Sequence, residues 1–219
     1  MPSPLFPSPL LPARRKLLIA LAGLMTLAVL PVAAQTAANA APKPTIGIIG
    51  AGQVGSAWGS LWAKAGYHVI FSSRHPEQLG DLVKQAGPQA SAASVSDAIA
   101  RSQIVMLAVP YKAEPGIAKQ YGEQLKGKIL IDADNAYLFR DGAIAGKAKA
   151  AGVARYSQAE FPGTRFVRAF NTVDAVTVAG GGGRGSVSVD YSFVDEQAGQ
   201  VVAELIRAAG CLPVRGHDL

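Results

Sequence analysis

Three glycines hold the first chemistry in this chain. Gly50-x-Gly52-x-x-Gly55 follows the apolar run Thr45-Ile46-Gly47-Ile48-Ile49 and opens directly into a helical pattern. At this spacing the first glycine permits a tight strand-to-helix turn. The second lets backbone approach a pyrophosphate, and the third lets the helix pack closely on the strand. The free N–H groups at the start of that helix, with its positive dipole end, complete an anion site. Gly50, Ala51, Gly52, Gln53, Val54 and Gly55 are therefore the candidate pyrophosphate cradle.

About 20 residues past the turn, a site for NAD(H) places Asp or Glu against the ribose 2′-OH. This chain has Ser72-Ser73-Arg74 there. Hydroxyl donors and a guanidinium fork suit a 2′-phosphate, so Ser73 and Arg74 point to NADP(H). His75, beside Pro76, reads as a solvent-facing side chain.

Other groups could do different chemistry. Asp132 and Asp134 are paired at the end of an apolar run, but no His or third carboxylate sits at ligand spacing, and turn-forming Asp and Asn explain them. No metal site is expected. A single cysteine, Cys211, excludes an intrachain disulfide and reads as a small buried apolar residue. No catalytic triad stands out. Asn135 and Asn171, each at the end of an apolar run, are candidates for positioning nicotinamide or substrate.

The elements that must hold these groups alternate. Gln53 to Lys64 has helical spacing with Val54, Ala57, Trp58, Leu61 and Trp62 on one face, and Gly66 suits its left-handed end. Trp58 and Trp62, four apart, read as core packing. Tyr67 to Phe71 is a strand, Pro76 to Gln85 a helix, and Ser96 caps a short helix through Ala100. Gln103 to Pro110 is a continuous apolar run of the kind buried on both faces of a parallel sheet. Its end, Ala108-Val109-Pro110-Tyr111, falls where such sheets place the working half of a dinucleotide. Glu114 to Leu125 reads as helix, Lys128 to Asp132 as strand, Arg140 to Ala151 as interrupted helix, Ser157 to Gly163 as loop and Arg165 to Thr172 as strand. The glycine-rich stretch from Gly180 to Gly185 reads as a mobile loop. Ser186 to Phe193 is strand-like, Asp195 to Ala209 an amphipathic helix ended by Gly210, and Leu212 to Val214 a last strand. The alternation predicts an α/β fold of Rossmann type: a doubly wound, mostly parallel sheet with helices on both faces.

The chain has 219 residues and a formal charge of +6, half of it from Arg14, Arg15 and Lys16. No basic stripe with interleaved aromatics follows, which argues against nucleic-acid binding. The basic cluster precedes an apolar run from Leu17 to Val32 and then small residues, the order of an export signal. Cleavage is expected after Ala34 or Ala40, leaving no membrane anchor and a periplasmic protein. Arg14-Arg15-Lys16-Leu17-Leu18 is similar to a twin-arginine motif, with Ala13 where Ser or Thr is usual. Residues 1–40 are thus signal and linker, and residues 45–219 the NADP-binding domain.

Five motifs together resemble the F420:NADP oxidoreductases, the NADPH-dependent reductases of coenzyme F420. They are Ile48-Ile49-Gly50-Ala51-Gly52-Gln53-Val54-Gly55, Ser73-Arg74, Leu107-Ala108-Val109-Pro110-Tyr111, Ile131-Asp132-Ala133-Asp134-Asn135 and Val167-Arg168-Ala169-Phe170-Asn171-Thr172. The resemblance runs from about residue 45 to residue 219. It implies that Ala51, Gly52, Gln53 and Val54 line the pyrophosphate, and that Ser73 and Arg74 hold the 2′-phosphate. It also implies that Val109 and Ala169 lie near the ribose and nicotinamide. The implied reaction is direct hydride transfer between nicotinamide and a deazaflavin or flavin, needing alignment rather than a nucleophile or metal. An imine or carbonyl reductase of the pyrroline-carboxylate or hydroxyacid type is the alternative, with a homodimer completing the site. A non-catalytic NADP(H)-binding module is the third reading. The acceptor in the first two is a small molecule.

Overall fold

The computed structural model describes residues 42–180, 185 and 187–219. The predicted export signal, residues 181–184 of the glycine-rich stretch and Ser186 lie outside the described residues. Among the described residues no helix is long and apolar enough to cross a membrane.

Four-residue apolar segments form the centre of the sheet. Strands β1 (Ile46–Ile49), β2 (Val69–Ser72), β4 (Ile104–Leu107) and β5 (Ile129–Asp132) are buried at every position. The remaining strands are β3 (Ala90–Ala93), β6 (Arg165–Ala169), β7 (Ser188–Phe193) and β8 (Leu212–Arg215). The eight run in the order β3-β2-β1-β4-β5-β6-β7-β8. Every neighbouring pair is parallel except β6 and β7. The first six strands follow the doubly wound order in which the direction of winding reverses between β1 and β4. A crevice opens there at the carboxyl ends of the strands, where such sheets bind ligands.

Period-two alternation sends side chains to both faces. Ile46, Ile48, Ile104 and Met106 join one core with Trp58 and Trp62 of α1 (Gln53–Lys64). Ile49, Val105, Leu107 and Leu130 join a second, with Ile99 of α3 (Val95–Ala100) and Leu125 of α4 (Glu114–Leu125). Helix α2 (Gly80–Ala86) precedes β3; α5 (Leu138–Asp141), α6 (Ala143–Ala151) and α7 (Val153–Glu160) lie between β5 and β6. Two more follow, α8 (Ala175–Ala179) and α9 (Glu196–Ala208). Val202, Leu205 and Ile206 of α9 complete the first core.

The predicted α1 and α4 have the observed limits. Tyr67 N–H donates to Trp62 at 3.0 Å and Gly66 N–H to Ala63 at 3.0 Å, with Gly66 at φ 86°. That is the expected left-handed stop. Several boundaries differ from the sequence reading. Strand β3, Ala-Ser-Ala-Ala, has no large side chain to announce it. The cap of α3 is Ser94, whose Oγ accepts from Asp97 N–H at 3.1 Å, not Ser96. Pro76 to Gln85 divides into a 3-10 turn, Pro76–Leu79, and α2. Ser157, read as loop, lies within α7 and is fully buried.

Phe170, one residue past β6, adopts a left-handed φ of 69° although it carries a bulky side chain. Such a conformation persists only where surroundings enforce it. Here the ring is wedged against Trp58 at 4.7 Å and Trp62 at 5.3 Å. Trp62 is itself held by a 3.0 Å bond from Nε1 to the Leu205 carbonyl. The tryptophans are core residues, as expected, and they fix the bend that carries Asn171 out of the sheet.

Candidate active site

The glycine turn joins β1 to α1 at the crevice. Gly50 has φ 103°, and a Cβ there would meet the Ala108 carbonyl oxygen at 2.2 Å. A Cβ on Gly55 would meet the Gly50 carbonyl oxygen at 2.1 Å. Both glycines are required by the protein's own packing. Gly52 differs: a Cβ there would meet nothing within 4 Å. Only something bound against it would make glycine necessary, as the close approach of a pyrophosphate would.

Beyond the turn lies a groove of about 600 Å³ lined by Gly50, Gly52, Ser73, Arg74, Val109 and Pro110 among others. It gathers six of the predicted cofactor residues from three separate loops. Lys112, which the sequence reading did not select, adds a second cation. The Ser73 hydroxyl oxygen accepts from His75 N–H at 2.9 Å, so its hydrogen remains free to donate outward. Ser72 corrects the expectation of two available hydroxyls. It is fully buried and donates to the Ile48 carbonyl at 2.7 Å. His75 is exposed, with Nδ1 3.3 Å from Glu77.

Two further cavities of about 290 Å³ each adjoin the turn, both lined by Gln53, Val54, Ala133, Asn135 and Tyr137. The first also touches Gly52, Val109, Asp134 and Arg140; the second touches Phe170, Asn171, Thr172 and Val176. Asn135 and Asn171 are brought together, the Asn135 Nδ2 donating to the Asn171 carbonyl at 2.7 Å. This bond ties the loops after β5 and β6 into one wall. Three predicted residues lie apart from the cavities. Ala169 is fully buried within the first core, Gly55 packs against Ile48, and Ala51 is half-buried against the core. They shape the site from behind.

Tyr137 was not singled out in the sequence, and Arg140 was read there only as the start of a helix to Ala151, whereas it lies inside α5, ahead of α6. Asp141 accepts from Tyr137 N–H at 3.0 Å and from Arg140 Nε at 3.0 Å, holding the α5 turn at the cavity. Arg140 Nη2 also donates to the Asn135 carbonyl at 2.6 Å, with its guanidinium 5.0 Å from the Tyr137 ring centre. Tyr137, Leu138 and Phe139 are exposed, Phe139 to 88%. The two aromatic rings stack at 5.4 Å.

Beneath this floor the fold assembles what linear spacing does not show: Glu114, from the first turn of α4, joins Asp132 and Asp134. Their carboxylate oxygens lie within 4.8 Å of one another, and all three residues are buried. The expectation that Asp132 and Asp134 lack a third carboxylate is thus corrected, since a separate element supplies it. Arg168 of β6 pairs with Asp132 and donates to the Asp134 carbonyl at 2.8 Å. Asp132 accepts from Asp134 N–H at 2.8 Å, and Asp134 accepts from Val109 N–H at 2.7 Å. The loop after β4 is thereby pinned to the loop after β5. Burial, then the charges of Asp132 and Asp134, push Glu114 up to about 10. Burial and the Asp132 charge raise Asp134 well above the usual carboxylate range. For Asp132 burial raises and the Arg168 guanidinium opposes.

A strand-order reversal carrying a glycine turn, a Ser–Arg pair and an adjoining pocket defines a dinucleotide-binding Rossmann protein. Comparison with known proteins narrows this. Residues 45–136, from β1 to the loop after β5, match the family described as "NADP oxidoreductase coenzyme F420-dependent". The crystal structure of a hypothetical protein, SMa0349 from Sinorhizobium meliloti, is similar at 31% identity and a TM-score of 0.67, covering 78% of this chain and 83% of that one. A candidate F420-dependent NADP reductase from Arthrobacter sp. FB24 shares the fold at 24% identity and a TM-score of 0.65, over 78% and 84% of the two chains. The metalloreductase STEAP3 of Rattus norvegicus is 26% identical over 78% of this chain and 33% of its own length. The chain spans about a third of the curated relatives it matches.

Proposed function

We propose that this chain is an exported oxidoreductase that moves hydride between NADP(H) and a planar, flavin-like or deazaflavin ring. Bound NADPH supplies the hydride. The chain's own residues bind, orient and exclude water. Gly52 leaves room for the pyrophosphate, while Ser73, Arg74 and Lys112 offer the donors and charge that a 2′-phosphate needs. Val109 and Pro110, shared by the groove and the first adjoining cavity, make one path from the adenosine end to the acceptor end.

The observation that carries the acceptor class is the rim of that second region. Tyr137 lines both cavities and stacks on the exposed Phe139 ring, and exposed Val176 lines the second cavity. Exposed aromatic surface beside a pocket favours a flat aromatic partner. The Asn135–Asn171 wall and Arg140 supply polar contacts for its edge. Alignment of two rings at near-attack distance then contributes more than any acid, base or metal.

The reading is tested by mixing purified mature protein and NADPH rapidly with a reduced-nicotinamide readout and four acceptors: coenzyme F420, free flavin, a ferric chelate and a cyclic imine. Fast oxidation by the deazaflavin or flavin, slowed by Tyr137→Ala and Phe139→Ala, is expected. Faster oxidation by the imine or chelate would reassign the acceptor. NADPH binding with no oxidation by any of them would leave a nucleotide-binding module instead.

A further inference from the structure

The three buried carboxylates are unevenly partnered. Both oxygens of Asp132 are engaged, one by Asp134 N–H and one by Arg168, and Asp134 Oδ1 accepts from Val109 N–H. Three oxygens in this cluster have no hydrogen-bond partner: both of Glu114 and Oδ2 of Asp134. Glu114 is 1% exposed and its carboxyl is aimed into the Asp132–Asp134 pair. A buried charge without a partner is strongly unfavourable, and the group takes a proton instead. Hard divalent cations take six or more oxygen ligands, and here three of the four Asp132 and Asp134 carboxylate oxygens already accept from N–H donors. A single proton between Glu114 and Asp134 Oδ2 partners two of these three oxygens and removes one of the two negative charges.

We infer that Glu114 and Asp134 hold one proton between them as a buried acid–carboxylate pair, and that this proton is released when the cofactor bound above is oxidised. The second half rests on the proposed function. Asp134 lines the cavity next to Gly52, Val109 and Asn135, the end assigned to the nicotinamide. Oxidised nicotinamide carries a positive charge that its reduced form lacks. A cation at that wall favours the ionised pair, and a neutral ring favours the protonated one. The groups that face the pair all enter this balance: Asp132 from β5, Arg168 from β6, Tyr111 and Ser157 from the flanking segments, and Arg140 across the pocket. Tyr111 and Ser157 are bonded to each other at 2.9 Å, and burial holds the tyrosine protonated. The proton thus belongs to the carboxyls. Conservation of atoms is simple: the pair loses one proton to solvent on binding the oxidised cofactor and regains it with the reduced one.

The test has two arms. Infrared difference spectroscopy in H2O and D2O, without cofactor, should show the carbonyl stretch of a protonated carboxyl group at pH 7. Glu114→Gln should remove it. Titration calorimetry of NADP+ and of NADPH at pH 8, in buffers of small and large ionisation heat, then counts protons. The 2′-phosphate is common to both cofactors and cancels in the difference. Wild type should release more protons with NADP+ than with NADPH, by a substantial fraction of one; Glu114→Gln should bind both with no difference. Equal release in wild type, an unchanged difference in Glu114→Gln, or a stoichiometric divalent cation in the purified protein overturns the inference. Failure of both nucleotides to bind would instead strike the cofactor assignment, while the infrared arm still decides the pair.

Discussion

At the scale of single residues, the three glycines separate fold from ligand. Gly55→Ala would drive a Cβ to 2.1 Å from the Gly50 carbonyl oxygen. Overpacking of this kind destabilises by about 1–3 kcal/mol, which thermal unfolding of the apoprotein would detect. Gly52→Ala has open space and should leave apoprotein stability within about 0.5 kcal/mol of wild type. It should nevertheless weaken NADPH binding, because the added methyl stands where the phosphates must approach. Equal NADPH affinity in Gly52→Ala would show that nothing docks against this turn. The glycine spacing was legible in the sequence, but not this division of labour, which depends on what lies across from each Cα.

Among the elements, β5 and β6 are joined at their carboxyl ends by Arg168 and Asp132, both buried. Removing one partner of such a pair leaves an uncompensated buried charge. Arg168→Met should therefore destabilise by about 3–5 kcal/mol in denaturant unfolding. Little effect would mean the carboxylates are neutral without it. The elements with long periodic patterns were legible: α1 and α4 stand where their spacing puts them, and the buried strands appear as apolar runs. Strand β3 was not, because four small residues carry no pattern and pairing with β2 alone defines it. Glu114 was not, because an acid in the first turn of a helix is ordinary. Only the parallel crossover from β4 to β5 places it over Asp132. The Phe170 bend was equally hidden, since its left-handed φ is imposed by Trp58, Trp62 and the sheet rather than by its own preference.

For the whole molecule, the acid cluster sets a direction for stability against pH. Unfolded, Glu114 ionises near its ordinary value of 4.5; folded, it holds its proton to about 10. The folded state therefore binds more protons across that window, and stability falls as pH rises through it. The melting temperature should decline from pH 5 towards pH 9, and Glu114→Gln should flatten the decline. A parallel slope in the variant would place the dependence elsewhere. The pairs Arg165–Asp195 and Arg215–Glu196 lie towards the surface, and salt screening limits what they add. The fold class, the crevice and the phosphate turn could be argued from sequence alone, as could the choice of NADP(H), which rests on Ser73 and Arg74. The most direct measurement is the dissociation constant of NADPH and of NADH for wild type and Arg74→Ala. A charged hydrogen bond of about 1.5–3 kcal/mol predicts NADPH weakened roughly 10- to 150-fold with NADH nearly unchanged. Equal weakening of both, or wild type that prefers NADH, would contradict it.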